Sequence, residues 1–169
     1  MRIYLIGFMG SGKTTIGKQL ASQLKIQFMD QDHEIEKIMG MEVNKIFEVH
    51  GETFFRETEN RLLSEFALKE NIVISTGGGT PCFYNNMDIM NNSGTTIYLK
   101  ADPKALVSRL KDSGDTRPLI NGKSEDELLN FVKQKLSERE KFYLKAQLTV
   151  NAINLKAEDI ITLFKSIHL

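Results

Sequence analysis

An apolar run from Ile3 to Phe8, rich in strand formers, is cut off by Gly10 and Gly12, and from Thr14 onward the apolar residues fall at Ile16, Leu20 and Leu24. The run has the pattern of a buried parallel strand, and the later spacing puts its residues on one face of a helix. Between them, Gly7-Phe8-Met9-Gly10-Ser11-Gly12-Lys13-Thr14 has the form G-x-x-x-x-G-K-[ST], in the strand, glycine loop, helix context that gives this motif its meaning. Glycines let the backbone turn so that successive N–H groups face a polyphosphate, and the helix beginning near Lys13 adds its positive dipole end. Lys13 supplies a point charge to the β and γ phosphates, and the Thr14 hydroxyl suits Mg²⁺. Gly10, Ser11, Gly12, Lys13, Thr14 and Thr15 are therefore the expected nucleotide-binding residues. The alternative, a tight turn beside a surface lysine, leaves the agreement of motif and context unexplained.

The rest of the chain alternates in the same way. Apolar runs at Ile26 to Met29, Ile72 to Ile74, Thr95 to Leu99 and Leu148 to Val150 predict strands. Helical spacing recurs through Ile35 and Ile38, with Gly40 a terminator, then through Val43, Ile46 and Phe47, and through Phe55, Leu62 and Phe66. Asp102 before Pro103 starts a helix running to about Leu110. Ser124 with Glu127 is a capping box opening a long helix, and a last helix passes through Ile160, Leu163, Phe164 and Ile167. Strands alternating with helices predict an α/β parallel sheet with right-handed crossovers. Residues 111–123 are polar and aperiodic, the pattern of an exposed, mobile loop.

At 169 residues the chain reads as one soluble globular domain with a core large enough to need no disulfide. Its 22 Lys and Arg balance 22 Asp and Glu, which argues against a nucleic-acid partner. Cys82 stands alone, no basic-then-apolar leader is visible, and Ile3 to Met9 falls far short of the ~20 residues of a membrane span. Cytoplasm, no membrane and a monomer are the expectations. The sole Asn-Lys pair, Asn44-Lys45, continues as Ile46-Phe47, so the Asn-Lys-x-Asp base-recognition sequence of guanine-specific switch proteins is missing.

Several charged residues fall where a core or a cleft is expected. Asp30 and Asp32 emerge at a strand's carboxyl end, where open α/β sheets build sites; one can hold a metal's water shell while the other accepts a proton, and Asp32 can also serve as a helix cap. Glu59 and Arg139 lie on apolar helical stripes, and Arg56 is within helical reach of both Glu52 and Glu59. An Arg held rigid by Glu59 can present its fork to a carboxylate; an ordinary helix salt bridge accounts for the same spacing. Gly77, Gly78 and Gly79 permit close backbone approach to a ligand, or form a flexible turn. Arg117, fixed beside Pro118, can reach phosphates from a closing loop or remain solvated. His33, His50 and His168 lack metal spacing, Cys82 lacks an activating neighbour, and the seven Met read as core filler.

Taken together, the phosphate loop at residues 7–14, Asp30-Gln31-Asp32, Gly51-Glu52 with Phe55-Arg56 and Glu59, Ser75-Thr76-Gly77-Gly78-Gly79, Arg117-Pro118-Leu119, and Arg139 with Tyr143 resemble the shikimate kinase family over nearly the whole chain. The resemblance implies a nucleoside-monophosphate-kinase-like, three-layer α/β/α sandwich around a five-stranded parallel sheet, with a lid (about 111–123) and a substrate-binding helical region (about 31–60). It implies ATP-dependent phosphorylation of the 3-hydroxyl of shikimate, a step toward chorismate and the aromatic amino acids. By matching positions, Asp32 binds the shikimate hydroxyls and is the general base; Asp30 contacts Mg²⁺ beside Thr14; Arg56 and Arg139 hold the carboxylate with Gly77, Gly78 and Gly79; Lys13 and Arg117 stabilise the transferred phosphoryl group. One departure is the stretch from Val150 to Lys156, where the resemblance places a basic residue against adenine and this chain has Asn151-Ala152-Ile153-Asn154. The competing readings are a related kinase such as a gluconate kinase, and a nucleotide-binding regulatory module without turnover.

Overall fold

A computed structural model describes residues 1–113 and 121–167. The first strand, β1 (Arg2–Ile6), leads through the glycine loop into α1 (Lys13–Leu24), then β2 (Gln27–Asp30), α2 (Gln31–Met39), α3 (Val43–Phe66) and β3 (Ile72–Ser75). A short 3₁₀ turn (Thr80–Cys82) precedes α4 (Asn86–Ser93), β4 (Thr95–Lys100), α5 (Pro103–Asp112), α6 (Glu125–Tyr143), β5 (Leu148–Asn151) and α7 (Ala157–Ile167). The five strands are all parallel, in the order β2-β3-β1-β4-β5.

Burial explains the arrangement. Successive residues of β1, β3 and β4 are all buried, including Ile3 to Ile6, Ile72 to Ile74 and Ile97 to Leu99. Neighbouring side chains on a strand point to opposite faces, so both faces of the sheet are covered by helices. Connections from β1 and β4 leave toward opposite edges of the sheet, which opens a crevice at their carboxyl ends. The glycine loop sits there because Gly10 and Gly12 adopt φ values of 80° and 92°, which reverse the chain between β1 and α1.

The helical stripes through Phe47 and Phe55 are separate segments, as read: α3 is broken between them at Gly51, whose φ of 82° and ψ of 169° no helix accepts. Most other predicted elements are present, with two differences. Helix α4 has no counterpart in the sequence reading: only Met87 and Met90 of its eight residues mark a buried apolar stripe. The cap of α2 comes from Asp30 and not Asp32, because the chain leaves β2 in an extended conformation at Asp30 and its carboxylate accepts from His33 N at 3.2 Å. Ser124 and Glu127 do form the predicted capping box, and Asp102 accepts from Ala105 N at 3.0 Å. The methionines are not all filler: Met87 and Met90 are core, four pack against it, and Met1 is exposed.

Candidate active site

The nucleotide side of the crevice is built by β1, α1 and the end of β2. Lys13, though charged, is nearly buried, and its Nζ donates to the carbonyls of Gly7 at 2.8 Å and Phe8 at 2.9 Å, lying across the mouth of its own loop. The Thr14 hydroxyl donates to Asp30 Oδ2 at 2.6 Å and lies 3.4 Å from Ser75 Oγ. Asp30 thus divides its oxygens between two tasks, one capping α2 and one facing the loop. Two hydroxyls and one carboxylate are hard oxygen donors and few in number, the donor set suited to Mg²⁺ that keeps most of its shell as water and phosphate oxygens. Among the described residues no group of three or more His, Cys, Asp or Glu forms a metal cage. Thr15, in the first turn of α1, is exposed.

Arg109 was not singled out by its sequence position. From α5 it donates to Ser11 O at 3.1 Å and to Ala152 O at 2.8 Å, joining the glycine loop to the turn after β5. Between Val150 and Leu155 there is no basic residue, Lys156 being the first, and Arg109 brings a guanidinium to that turn from another element. Position 109 carries no short-range sequence signal, because its partners, the carbonyls of Gly10, Ser11 and Ala152, are distant along the chain.

The other side of the crevice gathers Asp32, Arg56, Glu59, Arg139 and the glycine turn. Arg56 donates to Glu59 Oε2 at 2.6 Å through NH1, and its Nε lies 3.3 Å from Glu52 Oε1. The guanidinium is covered by Phe83, 4.3 Å from the ring centroid, with Phe47 and Phe55 at 5.7 and 5.4 Å. Three aromatic faces and two carboxylates leave the Arg56 fork little freedom. Glu59 is fully buried, and burial raises its carboxyl above the usual carboxylate range, opposed by Arg56, the Thr80 hydroxyl and Arg139.

A methyl group on Gly77 would meet Glu59 Oε1 at 2.7 Å and Asp32 Oδ1 at 2.8 Å; on Gly79 it would meet Arg56 NH2 at 2.6 Å. On Gly78 it would lie 3.5 Å from both Arg139 NH1 and Met9 N. The glycines therefore make room for the site's own charged side chains, a closer packing than the approach to a ligand that the triplet alone suggests. Gly78 is also where this cluster meets the phosphate loop. Its carbonyl accepts from the Tyr143 hydroxyl at 2.6 Å, and the Arg139 guanidinium lies 5.6 Å from the Phe8 ring centroid. Helix α6 thus fixes Arg139 and the glycine turn together.

Asp32, Arg56, Glu59, Arg139 and the three glycines of this cluster were read in advance, but no role was given to Gln31, Thr80 or Phe83, since each acts through contacts far apart in sequence. Cys82 is half-buried and its thiol is pushed up to about 11, chiefly by burial, which keeps it protonated and unreactive. His33 and His50 are exposed, and His50 stacks on Phe54. Arg117 and His168 lie outside the described residues.

Comparison with known proteins agrees with this geometry. The family model described as shikimate kinase matches residues 9–167. A shikimate kinase of Bacteroides fragilis is 49% identical over 146 residues, covering 86% of this chain and 82% of that protein. The crystal structure of shikimate kinase from Bacteroides thetaiotaomicron superposes with a TM-score of 0.94 at 43% identity, covering 100% of this chain and 99% of that one. Shikimate kinase from Acinetobacter baumannii in complex with shikimate gives 0.89 at 33% identity, covering 99% and 94% of the two chains. A parallel sheet with the phosphate loop at its crevice, two arginines around a glycine turn, and matches of this extent place the chain in the shikimate kinase family.

Proposed function

We infer that this chain transfers the γ-phosphoryl group of ATP to the 3-hydroxyl of shikimate, giving shikimate 3-phosphate and ADP on the route to chorismate and the aromatic amino acids, and that the groups described above carry each part. The observation that bears most of this reading is the convergence of Asp32, Arg56 and Arg139 on Gly77 to Gly79, which also touches the phosphate loop at Met9. A ring acid bearing several hydroxyls needs such a set: guanidinium forks for its carboxylate, a carboxylate for its hydroxyls, and close main chain between them.

In this reading Arg56 and Arg139 hold the acceptor's carboxylate, and Asp32 orients its hydroxyls and takes the proton of the one that attacks. Arg56, pre-aligned by Glu59 and Glu52, loses little freedom on binding. Lys13 exchanges its bonds to the Gly7 and Phe8 carbonyls for the β and γ phosphates, and Gly10, Ser11, Gly12, Thr14 and Thr15 wrap the nucleotide. Thr14 and Asp30 are the Mg²⁺ residues, with Ser75 beside them; Mg²⁺, when bound there, neutralises charge between the phosphates. We assign Arg117 to the transferred phosphoryl group on the strength of the resemblance alone. Residues 1–169 form one kinase domain in this scheme, with a lid at about 111–123 and an acceptor-binding region at about 31–60. Positioning and charge stabilisation dominate such a reaction, and every group named serves one or the other.

We also place the enzyme in the cytoplasm, acting as a monomer without nucleic-acid or membrane partners. The support is a site assembled within one chain, a balanced charge and, among the described residues, no helix long and apolar enough to cross a membrane. The test is ADP release with ATP and Mg²⁺ in the presence of no acceptor, shikimate, gluconate or AMP. Turnover dependent on shikimate is expected; turnover with gluconate instead, or ATP binding without acceptor-dependent release, would overturn the reading.

A further inference from the structure

Gln31, the residue between the two acids of Asp30-Gln31-Asp32, is fully buried at the first turn of α2. A carboxamide has two acceptor sites on its oxygen and two donors on its nitrogen, and burial makes each one left unused costly. Here Oε1 accepts from Gly77 N at 3.1 Å and lies 2.8 Å from the Thr80 hydroxyl, while Nε2 donates to Glu59 O at 3.1 Å. Those partners are 46, 49 and 28 residues away in sequence and belong to different elements. The Thr80 hydroxyl lies a further 2.7 Å from Glu59 Oε1, so the main chain of the glycine turn and the anchor of Arg56 meet on one amide.

We propose that the Gln31 carboxamide is a positioning residue for the acceptor, holding the Asp32-bearing turn of α2, the Arg56-bearing half of α3 and the glycine turn in one arrangement. The role rests on the proposed reaction. It acts through the tightness already described: the methyl-sized space at Gly77 is bounded by Glu59 Oε1 at 2.7 Å and Asp32 Oδ1 at 2.8 Å, so a displacement of the Gly77 main chain drives directly into both carboxylates. The phosphate loop has no bond to Gln31 among these contacts, and nucleotide binding is left alone.

Two variants test it. Gln31→Met keeps length and approximate volume and removes every hydrogen bond. Thr80→Val keeps the branched shape and removes the hydroxyl that lies between Gln31 Oε1 and Glu59 Oε1. Steady-state ADP release is measured against shikimate at saturating ATP, and against ATP at saturating shikimate, with calorimetric binding of shikimate as a second readout. Gln31→Met is expected to raise KM for shikimate roughly tenfold or more while KM for ATP stays within about twofold. Thr80→Val is expected to raise KM for shikimate in the same direction, with KM for ATP again within about twofold. A fall in kcat alone, with KM for shikimate unmoved, is loss of active protein and would overturn the proposal. If Gln31→Met does not fold, a KM for shikimate unmoved in Thr80→Val overturns it. No shikimate-dependent turnover in the unsubstituted chain would overturn the reaction, and this role with it.

Discussion

Replacing Gly79 by alanine separates the geometry of Arg56 from everything else in the site. Gly79 sits at φ −90° and ψ −17°, a conformation alanine adopts freely, so the backbone carries no penalty. The new methyl would lie 2.6 Å from Arg56 NH2 and 2.7 Å from NH1, where contact distance is about 3.5 Å. Arg56 must therefore retreat by about 1 Å. Its bond to Glu59 at 2.6 Å then lengthens beyond hydrogen-bond range, and a buried charge-assisted hydrogen bond of about 1.5–3 kcal/mol is lost with the alignment of the fork. At ~1.4 kcal/mol per decade this corresponds to a KM for shikimate roughly 10- to 100-fold higher. The assay is coupled ADP release over a shikimate titration, with thermal melting as a control for folding and KM for ATP expected within about twofold of the original. In an Arg56→Ala background the same substitution is expected to add nothing, because the methyl then meets no guanidinium. A KM for shikimate unchanged in Gly79→Ala, or an equal further loss in the double variant, would refute the claim that the glycine exists to make room for Arg56.

Three more outcomes are expected. Asp32→Ala should lower kcat by at least about a hundredfold while the Kd for ATP, measured by calorimetry, stays near its original value; weakened nucleotide binding would move Asp32 to the metal side. Arg109→Ala should raise KM for ATP roughly tenfold with little change for shikimate, since it unties the glycine loop from the turn at Ala152. Glu59, raised in the folded protein by burial, stays protonated there over a pH range in which the unfolded chain has released its proton, so its contribution to stability is present below the unfolded value near 4.5 and is lost as pH rises through the folded value. Urea midpoints of the original chain, compared with Glu59→Gln at each pH, should therefore fall as pH rises from about 4.5; a difference that grows with pH would show the Arg56 ion pair outweighing burial.

Much of the molecule was legible from local pattern. The glycine loop, the five strands and the capping box are each encoded within a few residues, and each is where its pattern puts it. Glu59 was legible for a different reason: a carboxylate on an apolar stripe has to be buried with a partner, and Arg56 was within one turn. What escaped was information held in pairs remote along the chain. Gln31 reads as an ordinary polar residue until Gly77 and Thr80 close on it, and Arg109 as an ordinary helix cation until Ala152 O reaches it. Asp30 and Asp32 could not be divided between cap and catalysis from spacing, because the direction in which the chain leaves β2 decides which carboxylate turns back on the helix. Helix α4 fell below notice because eight residues with two buried methionines carry too little periodicity.

The break at Gly51 gives α3 two lives in solution. Hydrogen bonds along a helix transmit order from turn to turn, and a residue at φ 82° interrupts that transmission, so residues 43–50 and 52–66 can open as separate cooperative units. The second unit is rooted in the core by Phe55, Leu62, Leu63 and Phe66 and carries Arg56, whereas the first buries chiefly Ile46 and lays Phe47 against the same guanidinium. Amide exchange should accordingly divide at Gly51, fast before it and slow after. In the proposed reaction Phe47 would then move with the first unit, while Arg56, the residue assigned to the acid, stays where the core has put it.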